Sequence, residues 1–531
     1  MEFCKKSRLF TINFTLRHCS GFISESTETN NNEDNMVKTK TDHIQKTIGE
    51  MGKWQIFVCA VIFLLKFPVA WHQMSIIFLG KSNGIQLTNG QLSKHFDTLT
   101  APAADFKCAN ESISDKCSKD CHEHEFNTTI FTKTIVTEWD LVCEDSHLAN
   151  LSQTIFMLGI LVGNMFFGAL ADKFGRRIPL VIAVTVQLIF GVSSAYAPYF
   201  WMFVVFRFVT AMATGGTMVT SFVLVMEIIG IKWRELVSVL YQIPFNLGHL
   251  TLPLFAYYLR DWHSLQFALS IPSILLLSYF WLVPESPRWL FTVGRMDESV
   301  AILEKAAKRN GLPHENIKSN LAEVNSLRSA NDSRGNILDL FRTKNMRVKT
   351  ICMTFNWFVC GMGFFGVAQY IGEAGGNIFK NVAMSAVLEL PGTVVCVFLL
   401  KYWGRKKTLM ASNMLTGVAM LTIAIVPPEN TDLIVVLASI GIVGMCISFP
   451  TVYLYGGELF PTVIRNIGIG TASMIARIGS MIAPFVASGL AQKAHWLPPV
   501  IFGIVPIIGS VLVIFLPGGL INRIFIIEII I

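Results

Sequence analysis

Gly168-Ala-Leu-Ala-Asp172-Lys-Phe-Gly175-Arg176-Arg177 is a short polar turn between two long apolar runs, and it has an echo further along the chain in Lys401-Tyr-Trp-Gly404-Arg405-Lys406. Gly175 and Gly404 are 229 residues apart. Two further echoes keep nearly the same offset. Glu227 and Arg234 recur as Glu458 and Arg465, 231 residues on, and Pro284 recurs as Pro517 after 233. A repeated pattern at one offset is the mark of a duplicated unit. The chain therefore reads as two similar halves, each carrying the same turn between its second and third apolar segments.

Those segments are long enough to cross a bilayer, since about 20 apolar residues in a helix span its ~30 Å core. The expected spans are 54–79, 148–171, 178–198, 201–229, 235–258 and 263–283 in the first half. In the second they are 348–371, 380–400, 408–426, 432–456, 464–489 and 497–516. Backbone amides inside a bilayer must be paired within the segment, so helices are the expectation. Composition agrees: of 531 residues, 52% are hydrophobic and only 15% charged, against roughly 25% charged in a soluble domain. A soluble enzyme is excluded. The expected organisation is a polar tail at 1–53, a six-helix half at 54–283, a linker at 284–347, a second half at 348–517 and an apolar tail at 518–531. Two similar helical bundles with a site between them are the architecture of alternating-access carriers.

Charge placement sets the expected orientation. The net charge is +7, but it is not a nucleic-acid patch. Residues 81–147 carry six Lys against eleven acids, a net of −5, whereas 284–350 carry twelve basic residues against eight acids, a net of +4. Basic loops remain cytoplasmic, so the loop at 80–147 is expected outside and both termini inside. That loop holds Cys108, Cys117, Cys121 and Cys143, disulfide candidates in an oxidising compartment, with three pairings open. Asn110-Glu-Ser and Asn127-Thr-Thr are glycosylation acceptors. Its four His match no metal-site spacing. Residues 1–53 lack the apolar core of a cleavable signal.

Gly168–Arg177 resembles the loop motif of the major facilitator superfamily, and Arg207-Phe its fourth-helix motif. Four segments are more narrowly similar to solute carrier family 22, the organic cation, anion and carnitine transporters. They are Thr137-Glu-Trp-Asp-Leu-Val-Cys, Pro284-Glu-Ser-Pro-Arg-Trp-Leu, Asn356-Trp-Phe and Gly457-Glu-Leu-Phe-Pro-Thr-Val-Ile-Arg-Asn. The resemblance covers about residues 54–517 and implies an all-α, twelve-helix major facilitator fold in the plasma membrane. Two departures stand out. Lys401 occupies a position where the family pattern has an acid, and Gly518-Gly519 follows Pro517 where a Glu is usual.

Polar residues inside a membrane are costly and mark function. Arg477 lies thirteen residues into span eleven, some 18–20 Å along a helix at ~1.5 Å per residue, too deep to snorkel. Lys66 in span one is as deep, and Glu389 in span eight adjoins Pro391-Gly392. Counting these three leaves one positive charge in excess, which favours a carboxylate. Glu389 is expected to balance that charge, to meet an ammonium, or simply to pair with Lys66 or Arg477. The resemblance points the same way: cation carriers of the family tend to have an acid at the place of Arg477, anion and carnitine types an Arg. Trp357 and Phe364 are candidates to pack against an organic body, and Gln242 to hydrogen-bond it. Arg207 is a structural or coupling candidate. Asp172, Arg176, Glu227, Arg234, Glu285, Arg288, Arg405, Glu458 and Arg465 form a candidate cytoplasmic gate, whose opposite charges would pair when inward access closes.

Walker, HExxH and nucleophile-elbow patterns are absent from the sequence, so neither an enzyme nor a bound cofactor is expected. The expected partners are a small organic ion, the lipid bilayer and a co-transported or exchanged ion. The expected activity is secondary transport of a carnitine-like zwitterion or organic anion. An organic cation is the alternative cargo, and a non-transporting receptor using the outer loop is the alternative from another class.

Overall fold

Gly175 and Gly404, the glycines of the two echoed turns, both adopt positive φ, 96° and 76°. A residue with a Cβ is strained there, which is why the motif needs glycine at the same point of each half. In the computed structural model the turns join the second helix of each half to the third. Gly175→Ala is expected to cost about 1–3 kcal/mol, read as a lower midpoint of thermal unfolding in detergent; an unchanged midpoint would mean the turn relaxes without penalty.

The structure describes residues 44–45, 47–81, 106–108, 124–126, 128–313, 317–319, 321, 337–461, 464–491 and 494–518. Twelve membrane segments lie within them. The first half comprises α1 (Lys53–Leu79), α2 (His147–Phe174), α3 (Arg177–Ser194), α4 (Phe200–Ile228), α5 (Ile231–Leu240, continued as Ile243–Tyr258) and α6 (Trp262–Leu282). The second half comprises α7 (Lys344–Glu373), α8 (Ile378–Tyr402), α9 (Gly404–Ile423), α10 (Thr431–Leu459), α11 (Arg465–Pro484) and α12 (Leu497–Val513). Nine of these among the described residues are long and apolar enough to cross a membrane by length and composition alone. The other three have local reasons to fall short. α5 is broken at Tyr241–Gln242, α9 opens on Arg405-Lys-Lys, and α12 is short. The expected start of span nine at 408 is four residues late, because the glycine turn, not the basic run, ends the preceding helix. A two-stranded antiparallel ribbon, β1 (Phe106–Cys108) with β2 (His124–Phe126), is the exception to the all-helical reading.

The described residues fall into two compact units. One draws on the described residues within Met1–Ile56, Ile228–Lys232 and Pro287–Asn331. It contains the helices Pro287–Val293 and Met296–Asn310, and Asn310 in it bonds the backbone of Trp54 and Ile48. The other contains the membrane core of both halves.

Within the core the halves meet along two lines, α2 against α11 and α5 against α8. The repeat explains this pairing, since α2 is equivalent to α8 and α5 to α11. It extends to atomic detail. A Cβ added at Gly248 would meet Ala70 Cβ at 2.8 Å, and one added at Gly479, 231 residues later, would meet the Phe358 carbonyl at 2.6 Å. Small residues let helices approach closely where lipid supplies no hydrophobic drive. Asn356 of the Asn-Trp-Phe segment is buried and accepts a 2.8 Å bond from Asn413 on α9, which in turn accepts one of 2.7 Å from Ser448 on α10. Outward faces are apolar, with Leu275 and Trp281 among the most exposed. Cys117, Cys121, Asn110 and Asn127 lie outside the described residues, as does the Cys108 side chain.

Candidate substrate site and charged end

The break in α5 puts Gln242 at the middle of the core, and from there Gln242, Asn246 and His249 follow at i, i+4 and i+7, one face of the helix. That face looks across to α8. Between the halves lies a cavity that opens to solvent, with about 490 Å³ of unfilled space when that open solvent is included. From the first half it is lined by Lys66, Gln73, Met218, Gln242, Phe245 and Asn246, and from the second by Phe364, Phe365, Thr393, Cys446, Phe449 and Arg477.

Four of the six residues expected at a substrate site, Arg477, Lys66, Gln242 and Phe364, thus face one cavity. Arg477 is 5% exposed and its Nε has no hydrogen-bond partner. Lys66 Nζ sits 4.0 Å above the Tyr241 ring, a cation–π contact. The aromatic wall is continuous, with Phe364 6.0 Å from Phe245 and 6.5 Å from Phe449 between ring centroids.

Trp357 and Glu389 are placed differently. Trp357 is buried behind the wall, its ring 4.3 Å from Tyr453 in an edge-on contact. Glu389 is fully buried and pairs neither with Lys66 nor with Arg477. Its Oε1 lies 2.8 Å from His249 Nδ1 on α5. The expected charge tally therefore changes: no carboxylate is among the residues lining the cavity, so the basic side chains Lys66 and Arg477 stand there without the acid that was counted with them. His249 is the residue the sequence reading missed. Its signal was the polar stripe that begins at Gln242.

Arg207 donates to Ser75 Oγ and Gln153 Oε1, both at 3.2 Å, and stacks over Phe156 at 4.8 Å. It ties α1, α2 and α4 within one half and is not among the residues that line the cavity.

At the end of the core that carries the two glycine turns, the candidate gate residues form two matching clusters. Arg176 bonds Asp172 at 3.0 Å, Glu227 at 2.9 Å and the Ala171 carbonyl at 2.6 Å. Glu285 accepts from the backbone N–H of Arg176 at 2.6 Å. Burial works against the Arg176 charge, but the bonds to Glu227 and Asp172 together outweigh it and raise its proton affinity. In the second half Arg405 bonds Glu458 at 2.7 Å and the Leu400 carbonyl at 3.3 Å. Lys401, standing where Asp172 stands in the first half, lies instead over the Tyr402 ring at 5.6 Å. Arg405 takes its second carboxylate from the opposite half: Nη2 is 2.6 Å from Glu235 Oε2 on α5. The bonds of Arg176 thus stay within its own half, and an ion pair that joins the halves at this end, Glu235–Arg405, uses a residue absent from the expected set. Arg465 bonds the Phe460 carbonyl at 3.3 Å, and Arg288 donates to Gln45 at 3.0 Å within the other unit. The Arg234 carbonyl accepts from Ser238 at 2.7 Å.

The opposite end, which carries the long loop after α1, is also joined across the halves. Lys81 pairs with Glu373 at 3.1 Å, and Phe78 stacks on Phe379 at 5.9 Å. The cavity lies between two sets of bridging contacts, the arrangement of a carrier with a central site.

Solved structures of the xylose transporter XylE from E. coli share this fold, one in an inward-open conformation superposing with a TM-score of 0.63 over 88% of this chain and 97% of that one at 17% identity. A family model described as sugar (and other) transporter matches residues 98–518. The chain is 33% identical to an organic cation transporter protein of Drosophila melanogaster, covering 90% of this chain and 92% of the relative. It is 37% identical to organic cation/carnitine transporter 2 of Homo sapiens (74% and 71% covered), and 38% identical to solute carrier family 22 member 3 of Rattus norvegicus (72% and 69% covered). The fold and the matches define a multi-pass membrane transporter, not an enzyme. Within that class the chain belongs to solute carrier family 22, the organic cation/carnitine type.

Proposed function

We propose that this transporter carries a small organic anion or a carboxylate-bearing zwitterion of carnitine-like size by alternating access. The observation that carries the reading is the buried Arg477 guanidinium, facing the central cavity with an unpartnered Nε and with Lys66 on the same cavity wall. A guanidinium held in oil beside a second basic group and without a lining carboxylate is costly, and a cargo carboxylate offsets that cost. The aromatic wall supplies packing for the organic body. An organic cation is the second reading; it is favoured by the aromatic rings around Phe364, whose faces attract ammonium groups, and by the names of several relatives.

The charged end is placed in the cytoplasm and the acidic loop outside, at the plasma membrane, with both termini inside; the opposed net charges of 81–147 and 284–350 support this. In that orientation Glu235–Arg405 is the inner latch and Lys81–Glu373 the outer one. Cys143 takes part in a disulfide, in keeping with an oxidised outer loop.

The test is a tracer-uptake panel in oocytes with an aromatic monocarboxylate, carnitine and tetraethylammonium, at varied pH and sodium. Saturable uptake of the first or second is expected. Uptake of tetraethylammonium alone would replace this reading by the second.

A further inference from the structure

The His249–Glu389 couple is a buried, titratable link between moving parts, since α5 belongs to one half and α8 to the other. His249 and Glu389 are both 0% exposed. The bond at 2.8 Å uses one nitrogen and one oxygen, leaving His249 Nε2 and Glu389 Oε2 without a partner. One turn toward the charged end, Asn246 Nδ2 bonds Thr393 Oγ1 at 2.8 Å, and these two residues line the cavity. The interface is thus a two-rung ladder: a neutral rung in the cavity wall and a titratable rung behind it, nearer the loop end.

The repeat shows that the fold does not require such a rung. The offset of 231 carries His249 onto Ser480, and the offset of 229 carries Glu389 onto Ile160. At the equivalent α2–α11 line the described cross-half bond runs from Thr154 Oγ1 to the Met481 carbonyl, 2.8 Å, with no titratable group. The couple is an addition to one of two otherwise equivalent interfaces.

We propose that His249 and Glu389 form a proton-binding site that couples protonation to closure of the two halves at the loop end. Without the extra proton, a neutral imidazole donates from Nδ1 to a carboxylate, and the dry pair carries a net charge of −1. With one proton added on the free imidazole nitrogen, the pair is neutral overall. A buried net charge is strongly disfavoured, so the closed interface holds the proton. When α5 and α8 part and water enters, the negative pair is solvated and the proton leaves to that water. Protonation and closure are linked: the proton leaves to loop-side water when the interface opens there and is taken up again from that water as the interface closes.

Among the described residues, the charged or titratable groups on the helices around the couple include Lys66 and His72 on α1, Tyr241 on α5, Cys360 and Tyr370 on α7, Cys396 on α8, Cys446 and Tyr453 on α10 and Arg477 on α11. Lys66, Cys446 and Arg477 line the cavity. His72 is also buried and its Nε2 has no hydrogen-bond partner. His249 is the imidazole in contact with a carboxylate in this interface.

The proposal rests on the alternating-access reading but not on the identity of the cargo, and its test needs no substrate. Nitroxides attached to p-acetylphenylalanine at Tyr199 and Glu429, exposed positions at the loop end of opposite halves, would report the separation of the halves in nanodiscs by pulsed electron resonance. For the full chain, raising the pH from 5.5 to 8.5 is expected to lengthen the distances, the closed-to-open ratio falling by up to about tenfold per pH unit, the limit for one linked proton. Glu389→Gln, which keeps a bond to His249 without a negative charge, is expected to stay closed at both pH values. His249→Gln serves as a second variant and is expected to lose the pH response. An unchanged wild-type distribution, or the full wild-type response in both variants, would overturn the proposal. Glu235→Gln, which weakens the opposite latch, separates the two ideas: if it moves the distances while pH does not, the proton site alone is lost. If neither moves them, alternating access fails as well.

Discussion

Arg477→Ala is expected to reduce kcat/KM for uptake of a carboxylate cargo by about 100-fold, whereas Arg477→Lys should retain a measurable part of it. The guanidinium lines the cavity, is 5% exposed and has a free Nε. Removing one member of a buried hydrogen-bonded charge pair costs ~2–5 kcal/mol, and about 3 kcal/mol corresponds to that factor in kcat/KM. Lysine keeps the charge but presents no planar fork for a carboxylate, so its defect should fall mainly on KM. Lys66 supplies a second cation, and this is why the Ala variant is expected to keep residual anion uptake instead of none. The measurement is initial-rate uptake normalised to surface expression. Equal apparent affinity in wild type and Arg477→Ala would remove Arg477 from the site and, with it, the argument for an anionic cargo end.

Glu235→Gln is expected to shift the protein toward the state open at the charged end, by about fivefold in the ratio of the two states. Glu235 is bonded to Arg405 at 2.6 Å across the halves, with side chains 38% and 8% exposed. The partial exposure of Glu235 limits the gain to the upper range of surface pairs, ~1 kcal/mol, and fivefold is that energy as a population ratio. The contrast is Glu227→Gln, which breaks a bond inside one half, Arg176 to Glu227. It should lower thermal stability more than it changes access. A double-mutant cycle of Glu235→Gln with Arg405→Gln isolates the cross-half pair from the bond that Arg405 also makes to Glu458. A coupling energy indistinguishable from zero would show that this pair does not bias access.

The duplication also clarifies the departure at Lys401. In the first half Arg176 finds two acids on its own half, Asp172 and Glu227. In the second half Lys401 removes the first of these, and among the described residues Arg405 keeps Glu458 as its one acid at home. A guanidinium has five donors, so the vacancy is filled by Glu235 from across the interface. The altered motif therefore leads to a contact between halves at the place where the other half has a contact within itself. Sequence comparison of the halves identifies the substitution; the identity of the replacement acid depends on how α5 lies against α8.

How much of the site was legible follows the same division. Lys66 and Arg477 stood out because a charge deep in an apolar segment is costly wherever it points. Phe364 and Gln242 were readable from span position alone. Trp357 was equally prominent in sequence but lies behind the wall, since the face of a long apolar helix that turns inward is not marked when every face is apolar. Glu389 was readable as a buried acid, but not its partner. Its mate is a histidine 140 residues earlier, and no local pattern links two helices of different halves.

By itself the sequence determined that the chain spans a membrane with a duplicated set of helices, where the turns between them fall, and which ionisable groups lie deep. These are consequences of local properties: apolar length against bilayer thickness, glycine where φ is positive, and the cost of charge in oil. Only the tertiary structure decided which deep charges share a cavity, that Glu389 is withdrawn from it by His249, and that Glu235 closes the circuit at Arg405. Such choices depend on helix rotation and on which helices adjoin, and these are set by close packing of small residues, such as Gly248 against α1 and Gly479 against α7 within each half, not by any property of one segment alone.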